Sequence, residues 1–76
     1  MMENRIGDLA GRIWHYLSTK GEVSYAVLRR EIVGEEYPMP DVYLSSALGW
    51  LAREKKVQMH ETGSGRGYRL RVALIN

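Results

Sequence analysis

Apolar residues recur along the chain at two spacings, and each spacing predicts a type of element. Between residues 41 and 56 they fall three, four and seven positions apart, as on one face of an α-helix. This apolar stripe consists of Leu44, Ala47, Leu48 and Leu51, and Ala52 extends its edge. Asp41 follows Pro40, and we expect it to cap the helix by accepting hydrogen bonds from the first turn. The outward face is then small and polar, and it comprises Ser45, Ser46, Gly49 and Arg53.

Two earlier segments show the same helical spacing. Residues 4–19 carry a stripe made of Ile6, Leu9, Ala10, Ile13 and Leu17. Residues 25–33 carry a shorter stripe made of Tyr25, Leu28 and Ile32. Ser24 is a favourable N-cap for the second of these helices. The preceding Val23 belongs to a short extended link that could add one small strand to a sheet.

The C-terminal third of the chain changes to the alternating pattern of β-strands. Residues 57–62 and 68–75 are predicted to be the two strands, and residues 63–67 are rich in glycine and predicted to be the tip of a hairpin. A phosphate-binding loop leads into a helix, whereas a strand follows this one, so the tip is not predicted to cradle phosphate. Three helices and a C-terminal β-hairpin wing, in one domain over residues 1–76, are typical of an α+β winged helix-turn-helix.

Three stretches also resemble a known family. They are residues 11–17, residues 21–24 and, most specifically, Ala47-Leu48-Gly49-Trp50-Leu51-Ala52-Arg53-Glu54. In these stretches the chain is similar to a small prokaryotic family of stand-alone winged helix-turn-helix domains whose function is unassigned. The resemblance implies the fold and a DNA-binding role. It implies no catalytic or ligand-binding residues.

Composition narrows the possible functions. The chain has no cysteine, which excludes disulfides and thiolate metal sites, and its only histidines, His15 and His60, lie far apart in sequence. Ser45 and Ser46 have no histidine nearby in sequence. We therefore expect no enzymatic activity, no cofactor, no metal and no small-molecule ligand. Neither a signal peptide nor a membrane-spanning apolar stretch is evident, so a cytoplasmic location without membrane contact is expected.

The net charge of +2 is unevenly distributed. Residues 41–76 carry six Lys/Arg and three Asp/Glu, and all six cations fall between Arg53 and Arg71. This basic zone favours contacts with double-stranded DNA. The candidate contacts to the DNA backbone are Lys55, Lys56, Arg66 and Arg69. The candidates for base reading are Ser45, Ser46 and Arg53, and only Arg53 could make a bidentate contact to guanine.

The segment between the second and third helices argues against such binding. Residues 34–40 form a seven-residue linker, whereas the turn of a helix-turn-helix usually has three or four residues. The segment is acidic and lies beside the helix end that enters the major groove in DNA readers of this class. Glu35, Glu36 and Asp41 are expected to repel phosphate there.

An alternative function is protein interaction, including self-association. The candidate contacts are Trp14, Tyr43 and Trp50, together with the small face at Ser45, Ser46 and Gly49. The same aromatic residues could instead simply cover the rim of the core. A chain of 76 residues builds only a small core, which favours a homodimer. The basic residues could likewise form a solvated face that keeps the domain soluble.

Overall fold

The computed structural model describes residues 1–63 and 69–75. Three helical regions and three strands follow one another along the chain, which confirms the predicted α+β arrangement. In chain order the elements are α1 (Met2–Lys20), β1 (Val23–Ser24), α2 (Tyr25–Leu28), a π-helical turn (Arg29–Val33), α3 (Pro40–Arg53), β2 (Val57–Thr62) and β3 (Arg69–Leu74). Ser24 caps α2 as predicted, because its Oγ accepts a hydrogen bond from the N–H of Val27 at 3.2 Å.

The core lies where α1, α2 and α3 meet the sheet, and the predicted helical stripes supply most of it. Leu9, Ile13 and Leu17 of α1 are almost completely buried, and so are Leu44 and Leu48 of α3. The two helices pack against each other. Burying a side chain of this size stabilises the fold by about 1.5–3 kcal/mol, so the helical periodicity accounts for much of the driving force.

The three strands form one antiparallel sheet in the order β1-β3-β2. Val72 of the central strand pairs with Val23 on one side and with Met59 on the other, and it is fully buried. Because side chains alternate along a strand, Arg71 lies on the opposite face of the sheet from Val72. The short strand anticipated near Val23 is therefore confirmed, and it pairs with β3.

The third helix ends three residues earlier than predicted. It stops at Arg53 and closes with two backbone hydrogen bonds, from Lys55 N to Ala52 O at 3.0 Å and from Lys56 N to Leu51 O at 2.9 Å. This is the Schellman arrangement, in which one residue takes a left-handed conformation. Lys55 takes it here, with φ at +59°. The boundary was missed because glycine, the usual sequence signal for this turn, is absent.

The start of α3 also differs from the prediction. The first helical residue is Pro40, and the residue before it, Met39, has a left-handed φ of +49° and provides no side-chain cap. Asp41 lies inside the first turn, so the predicted capping role was wrong. Its Oδ1 instead accepts a hydrogen bond from the Tyr25 hydroxyl at 2.9 Å and lies 3.3 Å from Nε of Arg29. The carboxylate thus ties α3 to α2 and to the π-helical turn.

The acidic linker is held against α1 by two arginines. Arg12 forms an ion pair with Glu36 and donates to the Ile32 carbonyl at 3.1 Å. Arg5 lies 5.1 Å from the ring centroids of both Tyr37 and Tyr43. The two rings are themselves 5.1 Å apart and tilted by 47°. The seven-residue linker is therefore a packed part of the fold.

Candidate nucleic-acid interface

The outward face of α3 lies where it was predicted, but it is less polar than predicted. Ser45, Gly49 and Arg53 are exposed, and Ser46 is half-buried. Val42 also lies on this face, and 47% of its surface is exposed. Val42 did not appear among the predicted contacts because only polar side chains were considered for base reading. The face is therefore small and partly apolar, with Arg53 as its cation.

Tyr25 connects this face to the rest of the candidate interface. Its hydroxyl donates to Asp41 and lies beside the Ser45 hydroxyl. Burial raises the pKa of Tyr25, the nearby Ser45 hydroxyl lowers it, and the hydrogen bond to Asp41 raises it again. The helical pattern predicts only that Tyr25 faces inward, and its ring is indeed half-buried. Nothing in the sequence spacing indicates that its hydroxyl reaches α3.

Arg69 lies on the other side of Tyr25, at the start of β3. It lines a surface groove of about 330 Å³ together with Leu70 and with Ser24, Tyr25 and Ala26. Tyr25 therefore joins two of the predicted site residues, Arg69 of the hairpin and Ser45 of α3, into one continuous surface.

The predicted basic zone is divided by the structure. Arg53, Lys55 and Arg69 are exposed and make no ion pair within the described part of the chain. Arg71 is paired, because its Nε lies 3.1 Å from Oε2 of Glu22, so it is not available as a free cation. Arg66, the predicted tip of the wing, lies outside the described residues.

Lys56 belongs to a different surface from Arg69. It lines a groove of about 440 Å³ between α1 and the end of α3, together with Trp14, Trp50 and Glu54. Lys56 and Arg69 line different grooves and are therefore not brought together.

The acidic linker carries less free negative charge than its sequence suggests. Glu36 is paired with Arg12, and Asp41 is paired with Arg29. Among the described residues Glu35 has no such partner. Both pairs are exposed to solvent, so each contributes at most about 1 kcal/mol to stability. Their effect on the local charge is larger, since two of the three carboxylates expected to repel phosphate lie next to a guanidinium group.

The predicted aromatic surface is present only in part. Trp14 and Trp50 are exposed by 44% and 45%, and both line the groove between α1 and α3. Tyr43 is only 5% exposed, which contradicts the alternative in which it belongs to an exposed aromatic pair and agrees with the alternative in which it covers the core. Helical spacing does place Tyr43 and Trp50 on one flank of α3. Tyr37 of the linker and Arg5 of α1 cover Tyr43, and a helical pattern cannot predict that cover.

A three-helix domain whose third helix is followed by a β-hairpin is a winged helix-turn-helix. A family model described as a winged helix-turn-helix domain (DUF2582) matches residues 1–68. The chain therefore belongs to this family, as the stretches at residues 11–17, 21–24 and 47–54 implied. Neither a curated protein nor a solved structure matches the chain.

Residues 1–63 and 69–75 contain neither a cluster of metal-ligating side chains nor a helix that could span a membrane. No three His, Cys, Asp or Glu side chains within these ranges come together as a metal site would require. None of the helices in the same ranges is both long enough and apolar enough to span a membrane.

Proposed function

We propose that this protein binds double-stranded DNA and takes part in transcription, mainly through contacts to the phosphate backbone. The outward face of α3 approaches a groove, and the hairpin that follows acts as the wing. Lys55 and Arg69 neutralise phosphates, and Arg66 joins them on the evidence of the sequence alone. Ser45, Ser46 and Arg53 face the bases and provide the little sequence preference that the protein has.

The observation that supports this proposal is the continuous surface from Arg69 through Tyr25 to Ser45. Arg69 lines this surface and Arg53 lies on the outward face of α3, and neither makes an ion pair within residues 1–63 and 69–75; the carboxylate of Asp41 is paired with Arg29. A winged helix domain presents its third helix and its wing to DNA from this side of the fold. The surface therefore combines the expected shape with a modest positive charge.

Titration of random duplex DNA at several salt concentrations tests the proposal. Each neutralised phosphate contributes about −0.9 to the slope of log K against log salt, so about three contacts give a slope near −2.7. Arg69→Ala should weaken binding to all sequences alike and make the slope shallower by about one unit. Lys56→Ala is the matched control, because Lys56 lies in the groove with Trp14 and Trp50. It should leave both the affinity and the slope unchanged.

Two results would contradict the proposal in different ways. Absence of binding at low salt would exclude DNA as the partner. Equal effects of Arg69→Ala and Lys56→Ala would mean that the cations act through overall charge and not through the surface around Tyr25. Arg53→Ala separately tests base reading, since it should change the ranking of DNA sequences more than the salt dependence.

A second function, protein interaction, has an observation of its own. Trp14 of α1 and Trp50 of α3 are half-exposed and line one groove, and none of the residues on the outward face of α3 lines that groove. Exposed tryptophans are enriched at protein interfaces because they bury a large area for little lost side-chain entropy. The groove supports this function without competing with the DNA surface, and Trp14→Ala should impair it while leaving DNA binding intact.

A further inference from the structure

We infer that the groove between Trp14 and Trp50 is a self-complementary interface that binds the same groove of a second copy of this chain. The inference rests on the second function proposed above and names its partner. It is independent of DNA binding, because the groove and the outward face of α3 share no residue among the proposed contacts.

The groove is lined by two large side chains, Trp14 and Trp50, and by two glycines of α1, Gly7 and Gly11. On α1, Gly11 follows Gly7 by four residues and Trp14 follows Gly11 by three. The three residues therefore share one face of the helix. A Cβ atom added at Gly7 would lie 2.9 Å from Cζ3 of Trp50, so the indole of Trp50 already rests on the backbone of α1. A Cβ added at Gly11 would meet nothing within 4 Å. The groove thus has a fixed wall at Trp50, a projecting side chain at Trp14 and an open hollow at Gly11.

This arrangement fits a two-fold symmetric contact. When two copies of α1 pack antiparallel around an axis midway between residues 11 and 14, Trp14 of each copy lies over Gly11 of the other. A two-fold interface requires this reciprocity, in which residue i meets j and j meets i. Glycine at the hollow allows the two helices to approach closely.

The charged residues at the rim of the groove, Glu54 and Lys56, can also form reciprocal contacts across a two-fold axis. Glu54 and Lys56 both line the groove, and they stand two residues apart at the end of α3. Neither has an ion-pair partner among residues 1–63 and 69–75. In the symmetric dimer Glu54 of one copy faces Lys56 of the other, and the pair occurs twice. A second copy necessarily carries both an acid and a base on its own rim, which is why it is the occupant that the groove favours.

The dimer is expected to be weak. A stable interface commonly uses about 20–30 residues from each partner, and the groove offers far fewer. Sedimentation equilibrium should therefore cover protein concentrations from about 1 µM to about 1 mM, which spans binding free energies of roughly −8 to −4 kcal/mol. A concentration-dependent change from monomer to dimer is the expected result.

Substitution of the two glycines separates the interface from the fold. Gly11→Leu fills the hollow on an exposed helix surface, so the monomer should stay folded while the dissociation constant rises at least about tenfold. Gly49→Leu is the matched control, because a Cβ added at Gly49 also meets nothing within 4 Å and Gly49 does not line the groove. It should leave dimerisation unchanged. Trp14→Ala should weaken the dimer to a similar extent as Gly11→Leu.

A charge exchange tests the symmetry itself. Glu54→Lys and Lys56→Glu each place like charges across the axis, so each variant alone should dissociate about tenfold more readily. An equimolar mixture of the two variants should form a heterodimer, since every rim contact is then attractive again. A wild type that stays monomeric at the highest concentration overturns the inference. So does a dimer that tolerates Gly11→Leu, and so does a mixture of the charge variants that fails to associate.

Discussion

Substitution of glycine at three positions measures how closely Trp50 packs on α1. In a helix interior alanine is more favourable than glycine by about 1 kcal/mol. A Cβ added at Gly11 or Gly49 meets nothing within 4 Å, so Gly11→Ala and Gly49→Ala should each stabilise the domain by about this amount. For a domain of this size the gain raises Tm by roughly 4–8 °C.

Gly7→Ala should behave differently. Its Cβ would lie 2.9 Å and 3.0 Å from Cζ3 and Cη2 of Trp50, closer than an ordinary van der Waals contact of about 3.5–4.0 Å. The indole must shift by about half an ångström or more, and overpacking of this kind costs about 1–3 kcal/mol. The cost offsets the gain in helix propensity. Gly7→Ala is therefore expected to change the free energy of unfolding by between zero and about −2 kcal/mol.

A double-mutant cycle isolates this contact from other effects. In a Trp50→Ala background the space beside Gly7 is empty, so Gly7→Ala should recover its gain of about 1 kcal/mol. Urea denaturation followed by far-ultraviolet circular dichroism, at a protein concentration low enough to exclude association, gives the four free energies. If Gly7→Ala stabilises wild type as much as Gly11→Ala does, Trp50 does not rest on α1, and the wall of the proposed interface is misplaced.

Three further predictions concern other parts of the fold. Leu48→Ala should lower the free energy of unfolding by about 2–5 kcal/mol in the same urea assay, since Leu48 is buried, and a near-zero effect would contradict the assigned core face. Lys55→Gly should stabilise the domain by about 1 kcal/mol because it removes a left-handed lysine, and a loss of stability would contradict the turn after Arg53. The pKa of Tyr25 is higher in the folded protein than in the unfolded chain. Its contribution to the free energy of unfolding is therefore present below pH 10 and is lost as the pH rises above 10. Wild type should therefore lose more stability than Tyr25→Phe between about pH 9 and pH 11, and equal losses would refute the burial of this hydroxyl.

Periodicity predicted the helices and strands because burial dominates where residues are apolar. The buried positions of α3, such as Leu44 and Leu48, follow directly from their spacing. The helix boundaries were less predictable, since both ends of α3 depend on left-handed residues that are not glycine, Met39 and Lys55. A methionine or a lysine does not indicate a left-handed backbone conformation in the way that a glycine does. The π-helical turn at Arg29–Val33 was missed for the same reason, because a shift in backbone hydrogen bonding leaves the helical pattern almost unchanged.

The candidate interface was predictable only within single elements. The outward face of α3 was found because one helix determines which of its own residues point away from the core. The link from Arg69 to Ser45 through Tyr25 joins three elements, so no sequence spacing reveals it. The position of Lys56 in the groove with Trp14 and Trp50 was equally hidden, because it depends on how α1 packs beside the end of α3.

The order of the strands has a consequence for how the chain folds during its synthesis. Within residues 1–63 and 69–75 the partner strand of β1 is β3, and the partners Val23 and Val72 are separated by 49 positions, since 72 − 23 = 49. At about 5–20 residues per second a ribosome needs roughly 2.5–10 s to add that many residues. Throughout this interval β1 has no partner strand, and the apolar sides of the helices lack the sheet that covers them. The nascent domain therefore passes seconds as a set of helices with exposed apolar surface, and its vulnerability to aggregation ends only when the central strand emerges.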